Sequence, residues 1–270
     1  TILNGDSLTS IFYFEDIDDV TISDLMVTNG YNTDYGGGIS FYNTNSTLKN
    51  LIVSNNNANA GGGISIHGGE VNLDNIIINN NSSTSVAGGV YLHYVSKIIL
   101  NNVLAYENIG SNGGWMYTNG SDPIINNVTI YNNISNGNGG AIYCDQNSNP
   151  IVLNSSIRSN NPNEIYFGLY NDYVYTISVA YSDLEGGVDG ILTNNDVTVN
   201  WLAGNIDVDP IFVDPDNGDY HLQDYSLLIG AGIDSVNIDG TWYYAPDTDI
   251  EGNTRPNPEG SMPDIGAYEN

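Results

Sequence analysis

Positive charge is the scarcest property of this chain: four Lys and Arg stand against 32 Asp and Glu in 270 residues, a formal charge of -28. A surface that cannot neutralise phosphate excludes nucleic acid and anionic membrane surfaces as partners. Divalent cations or a high-salt surrounding suit the acidic excess, and so does a plain solvated surface. Cysteine is nearly missing as well. Cys144 stands alone, so there is no intramolecular disulfide framework, and a lone thiol of this kind reads as a small buried hydrophobe. No apolar run reaches the roughly 18 residues that a membrane-spanning helix needs, so no membrane insertion of this segment is expected. The chain opens at Thr1-Ile2-Leu3-Asn4 with neither Met nor a basic leader, as a processed or excised piece would.

Repetition is abundant. A small-residue triplet followed by an alternating apolar strand occurs five times: Gly36-Gly37-Gly38-Ile39-Ser40-Phe41, Gly61-Gly62-Gly63-Ile64-Ser65-Ile66, Ala87-Gly88-Gly89-Val90-Tyr91-Leu92, Gly113-Gly114-Trp115-Met116-Tyr117-Thr118 and Gly139-Gly140-Ala141-Ile142-Tyr143-Cys144. Their spacings are 25, 26, 26 and 26 residues. A fixed period of this size means a solenoid, because one repeat cannot bury its apolar face without neighbours. Each period carries a further pair of short apolar runs around a recurring amide or acid: Asp24, Asn50, Asn75, Asn102, Asn127 and Asn154. Three short period-2 strands per coil predict an all-β fold, a right-handed, single-stranded parallel β-helix of about 25 to 26 residues per coil, stacked roughly 4.8 Å apart. The recurring Asn is expected to form a structural ladder along the stack, satisfying polar atoms in the bend.

Strand alternation then sorts the side chains. With Ile39, Ile64, Val90, Met116 and Ile142 inward, the outward file is Ser40, Ser65, Tyr91, Tyr117 and Tyr143, followed one step on by Tyr42, His67, His93, Asn119 and Asp145. Met26, Ile52, Ile77 and Leu104 form an apolar outward stripe on another face, which marks a lateral contact with a second copy or cover by a loop of the same chain. The repeat loosens after Asn161, although Ile165-Tyr166-Phe167 resembles a first strand and Tyr181 falls in the Asn register. The coils are therefore assigned to 1–204. Residues 205–270, rich in Asp, Gly and Pro, are assigned to an irregular C-terminal cap of the same domain that closes the last coil. No matching cap precedes Ile2-Leu3, so head-to-tail stacking of copies is a further expectation.

Several strings carry a resemblance: Gly139 to Pro150, Asn205-Ile206-Asp207-Val208-Asp209-Pro210-Ile211-Phe212-Val213-Asp214-Pro215, Gly218-Asp219-Tyr220-His221-Leu222, Asp249-Ile250-Glu251-Gly252-Asn253-Thr254-Arg255-Pro256 and Asp264-Ile265-Gly266-Ala267-Tyr268-Glu269. Together they resemble the bacterial choice-of-anchor type of right-handed parallel β-helix surface proteins, which are similar to polymorphic outer-membrane protein repeats and pectin-lyase-like folds. The resemblance implies a secreted or cell-surface bacterial protein, with a signal peptide before the helix and a sorting anchor after it.

It also implies a test for catalysis, since pectin-lyase-like enzymes use a Lys or Arg base, often with calcium. Lys49, Lys97, Arg158 and Arg255 are scattered along the chain rather than convergent. His67 and His93 near Tyr91 form the best candidate for proton abstraction, against the alternative of two solvated imidazoles on a stacked face. Tyr91, Tyr117 and Tyr143, with His67, His93 and Asp145 beside them, are candidates for stacking on sugar rings, although tyrosine ladders also simply stabilise sheets. Asp207, Asp209, Asp214, Asp216 and Asp219, and then Asp247, Asp249 and Glu251, suit a hard cation such as calcium. The expected function is an extracellular structural or adhesive β-helix that binds copies of itself or a cell-surface polysaccharide. The rival is a polysaccharide lyase or other carbohydrate-active enzyme working on the first-strand face.

Overall fold

The structure, a computed structural model, describes residues 1–168, 175–193 and 197–270. It is a right-handed parallel β-helix of about seven turns. The first sheet stacks the strands that follow the glycine triplets, from Phe12–Glu15 through Ile39–Tyr42, Ile64–His67, Val90–His93, Met116–Asn119, Ile142–Asp145 and Ile165–Phe167 to Ile191–Thr193. Their register places Ile64 between Ile39 and Val90, and Met116 between Val90 and Ile142, with no shift. All five of these inward residues are fully buried. Each such aliphatic side chain stabilises the stack by roughly 1.5 to 3 kcal/mol.

The glycines before these strands are required by close approach. Gly61 has φ +62, and a Cβ on Gly62 would lie 2.2 Å from the Ser82 carbonyl oxygen of the next coil. Only a residue without a side chain lets the two turns pass so closely.

The two apolar runs flanking the recurring Asn prove to be parts of one long strand in the second sheet: Val20–Thr28, Ser46–Ser54, Glu70–Asn79 and Lys97–Tyr106. The bend is a single left-handed residue inside that strand, with φ 59 at Asp24, 53 at Asn50, 55 at Asn75 and 51 at Asn102. Asn and Asp occupy this conformation at lower cost than other side chains, which explains the file. Tyr181 keeps the same geometry, with φ 49. A third, short sheet, Tyr31–Tyr35, Asn57–Ala60, Ser82–Val86, Ile109–Gly110 and Ile134–Ser135, closes each coil.

The Asn file does form a ladder. Asn50 donates to Asp24 Oδ1 at 2.8 Å, Asn75 to Asn50 at 3.2 Å, Asn102 to Asn75 at 3.0 Å and Asn154 to Asn127 at 3.3 Å. It runs along the outside of the coil. A second ladder lies inside: Asn56 donates to Asn81, Asn81 to Asn108, Asn108 to Asn133 and Asn133 to Asn160, each through Nδ2 to Oδ1 at 2.9 to 3.0 Å. Asn160 ends the file on Glu164, donating Nδ2–H to one carboxyl oxygen and its backbone N–H to the other. Burial pushes the Glu164 carboxyl up to about 8, against the pull of these bonds.

The C-terminal region is irregular and built on antiparallel hairpins. It folds back along the outer side of the second sheet as two hairpins, Phe212–Asp214 with Asp219–Leu222 and Ser235–Ile238 with Thr241–Tyr244, joined by loops. This corrects the apolar stripe. Leu104 is buried with Phe212, Tyr220, Leu222, Leu228, Ile265, Ala267 and Tyr268, and Ile77 packs against the same cluster. Cover by the same chain therefore accounts for Ile77 and Leu104, while Met26 remains half-buried and Ile52 is 38% exposed. At the first coil Ile2 is exposed and Leu3 half-buried.

Polar locks hold the segment down. Asn102, Asn126, Asn127 and Asn154 donate to the carbonyls of Thr248, Tyr244, Asp264 and Ile233 at 2.8 to 3.2 Å. The fully buried Arg255 side chain pairs with Glu269 at 2.9 Å and donates to Asn102 Oδ1 at 2.8 Å, taking the acceptor that the next rung of the outer ladder would use.

Candidate functional site

The outward side of the first sheet carries a continuous band of rings. The first outward file reads Tyr13, Ser40, Ser65, Tyr91, Tyr117, Tyr143, Tyr166, and the second reads Glu15, Tyr42, His67, His93, Asn119, Asp145, as the strand register requires. Tyr117 stacks on Tyr143 at 4.9 Å between centroids and 5° between planes, and Tyr143 meets Tyr166 at 5.2 Å. Tyr42 stacks on His67 at 4.4 Å and 9°. His67 and His93 stand 5.1 Å apart, so identical register does bring the two imidazoles together.

Two serines leave a gap in the first file, and Tyr35 fills it. Projecting from the end of the third sheet just before Gly36, its ring meets Tyr42, His67 and Tyr91 at 6.4, 4.6 and 6.0 Å. Tyr94 extends the band beyond His93, at 4.7 Å. Neither was singled out from sequence. An aromatic immediately before a glycine triplet, or in the left-handed corner where neighbouring coils have Gly68 and Gly120, was the available signal.

Burial separates these side chains into two kinds. Tyr91 is only 8% exposed, packed among Ala60, Val86, Ala87 and Tyr117, so it supports the band and offers little face of its own. Asp145 is 5% exposed and accepts a short hydrogen bond from the Tyr117 hydroxyl. Burial, with Asp145 next, pushes the Tyr117 phenol up and keeps it a donor. Tyr13, Tyr35 and Tyr94 are exposed, whereas Tyr42, His67, His93, Tyr117, Tyr143 and Tyr166 are half-buried, with part of each ring toward solvent.

Acid–base power is low here. Burial, assisted by His93, pulls His67 down to about 4, and burial lowers His93 too. Both are neutral imidazoles at pH 7, and one of so low a pKa is a weak general base. His67 Nε2 is also engaged with Ser65 Oγ at 3.1 Å. None of the four cations lies on this face: Lys49 and Lys97 belong to second-sheet strands, Arg158 pairs with Asp183 and Asp207 at 3.0 and 2.8 Å, and Arg255 is buried under the C-terminal segment.

The eight acids considered for calcium do not converge. Asp207 is held by Arg158, Asp209 and Asp214 accept from Ile211 N and Asn217 Nδ2, and Asp216 and Asp247 are exposed. Asp249 is fully buried and accepts from the backbone of Glu251, Asn253 and Glu269, closing a turn. Asp219 and Glu251 do meet, on either side of His221 at 2.7 and 3.3 Å, which raises the imidazole pKa against its burial. Among the described residues no group of three or more His, Cys, Asp or Glu could hold a metal ion.

Compared with known proteins, the chain matches no family model, no curated protein and no solved structure. The resemblance noted in the sequence therefore extends, on this comparison, to the β-helix architecture alone.

Proposed function

We propose that this protein is a non-enzymatic, extracellular β-helix that binds uncharged polysaccharide along the aromatic band of its first sheet. The observation that carries this reading is the run of rings from Tyr13 and Tyr42 to Tyr143 and Tyr166, joined between His93 and Tyr117 by the buried Tyr91 and set on a rigid stack at the roughly 4.8 Å coil spacing. Partly exposed aromatic faces held in line suit the apolar faces of pyranose rings and lose little entropy on binding, because the sheet already fixes them. A formal charge of -28 with no cation on the face argues against uronate polymers and for neutral ones. The same lack of a basic residue, together with a weakly basic His67, disfavours β-elimination.

Titration with neutral hexasaccharides (cello-, malto- and manno-) and with polygalacturonate and alginate hexamers tests the reading. Saturable binding of at least one neutral ligand is expected, with affinity lowered about tenfold by Tyr143→Ala, the equivalent of one aromatic contact. Preference for the uronates, release of unsaturated ends, or no binding at all would overturn it.

A further inference from the structure

One cavity on this face is built differently from the rest. It has a volume of about 270 Å³ and is lined by Tyr13, Asn32, Asp34, Tyr35, Ser40 and Tyr42. Three tyrosine rings form its walls: Tyr13 and Tyr42 lie 5.7 Å apart at 45°, and Tyr35 stands at 78° to Tyr42 with centroids 6.4 Å apart. The walls are braced, since Tyr13 donates its hydroxyl to Glu15 at 2.8 Å, and Asn32 ties the Asp34 backbone N–H at 2.8 Å and Ser10 Oγ at 2.6 Å.

The floor is the unusual part. Ser40 is 1% exposed and its Oγ has no hydrogen-bond partner. The equivalent hydroxyl one coil on, Ser65, is engaged by His67 Nε2 at 3.1 Å. In the Ser40 coil the position of His67 belongs to Tyr42, whose ring cannot return a nitrogen to the serine. A buried hydroxyl left unpaired costs free energy, and in a folded protein it calls for an explanation.

We propose that this pocket is a subsite for one uncharged pyranose unit, with Tyr42 and Tyr35 against the ring and Ser40 Oγ exchanging a hydrogen bond with a sugar hydroxyl at the floor. The proposal rests on the polysaccharide reading above and narrows it to a place where one sugar unit is gripped rather than merely stacked. Aromatic walls beside Asp34 also suit a quaternary ammonium group through cation–π attraction. Such a group has no N–H or O–H to offer Ser40, so the orphan hydroxyl favours the sugar.

Length of ligand separates the pocket from the band. Ser40 and Tyr143 lie on strands four stacking steps apart in the first sheet, roughly 19 Å. A hexasaccharide spans that distance and a disaccharide does not. Wild-type protein, Ser40→Ala, Tyr42→Ala and Tyr143→Ala are titrated by calorimetry with neutral disaccharides (cellobiose, maltose, lactose, mannobiose), with the matching hexasaccharides, and with tetramethylammonium.

At least one disaccharide is expected to bind wild type, and to bind Ser40→Ala and Tyr42→Ala about tenfold more weakly or not at all. Ser40→Ala is expected to melt at the wild-type temperature or above it, because no internal hydrogen bond is lost. A lower melting temperature would make Ser40 a structural residue and overturn the proposal. Hexasaccharide binding that Tyr143→Ala weakens and Ser40→Ala leaves unchanged would overturn the pocket and leave the band standing. No neutral glycan binding overturns both. Saturable tetramethylammonium binding without disaccharide binding would overturn the sugar subsite and assign the pocket to a cation.

Discussion

Two asparagine files run along this β-helix with the same period, yet they do different work. The inner file, Asn56, Asn81, Asn108, Asn133 and Asn160, is 0 to 6% exposed, and each member bonds its neighbour and a backbone carbonyl. The outer file is exposed at Asp24 and Asn50 and becomes buried from Asn102 onward, where the C-terminal segment lies over it. Inside, asparagine is needed for its amide, because backbone groups at the corner have no water to bond. Outside, it is needed first for its tolerance of the left-handed bend, and its amide becomes important only where a second layer of chain covers it. Identical residues at identical spacing thus carry energies set by what lies above them.

The largest effect is expected where the outer file meets that second layer. Arg255→Ala strands the buried Glu269 carboxylate and removes the bond to Asn102, and should cost about 3 to 5 kcal/mol in urea unfolding. A loss below about 1 kcal/mol would mean that the C-terminal segment contributes little to the fold.

Next comes Asn81→Ala in the inner file. It removes the acceptor of the Asn56 backbone N–H at 3.0 Å and the donor to Val53 O at 2.8 Å, so a loss of about 3 kcal/mol is expected.

The end of the inner file should respond to pH. Glu164 has a folded pKa of about 8 against its ordinary 4.5, so the folded state holds the proton more tightly than the unfolded chain. Its contribution is fully present below pH 4.5 and is lost as pH rises through about 8. The unfolding midpoint should therefore fall between pH 5 and 8, and Glu164→Gln should flatten that slope. Asp183 and Asp264, both raised by burial to about 6, act in the same direction over a narrower window and remain in the variant. An unchanged slope in Glu164→Gln would contradict the assignment.

The smallest effect belongs to Asn50→Gly. Glycine adopts φ 53 freely, and the rungs it removes, to Asp24 and Asn75, are solvent-exposed. A change within about 0.5 kcal/mol is expected. A loss comparable with that of Asn81→Ala would erase the distinction between the two files.

Much of this was legible in the chain itself. The glycine triplets, the period near 26, the inward and outward positions of the first strands and the outer Asn file all follow from local rules: pleat alternation, the need for glycine where turns touch, and Asn at left-handed bends. The inner file was less legible. Its members sit in Asn-rich runs such as Asn55-Asn56-Asn57 and Asn79-Asn80-Asn81, where composition alone does not say which amide turns inward. The structure settles it: Asn55 and Asn80 take the left-handed conformation, and the next residue points into the coil.

The candidate site divides in the same way. Sequence by itself determined that Tyr91, Tyr117, Tyr143, His67 and His93 share one face, because strand period and repeat length together set register. Only the tertiary structure decided that Tyr91 is packed away, that Tyr35 crosses from another sheet to close the band, and that Ser40 is left without a partner while Ser65 has one. It likewise decided that the C-terminal region runs along the coil and covers Leu104. These outcomes depend on contacts between segments far apart in the chain, where burial is set by a neighbouring layer that no local pattern encodes.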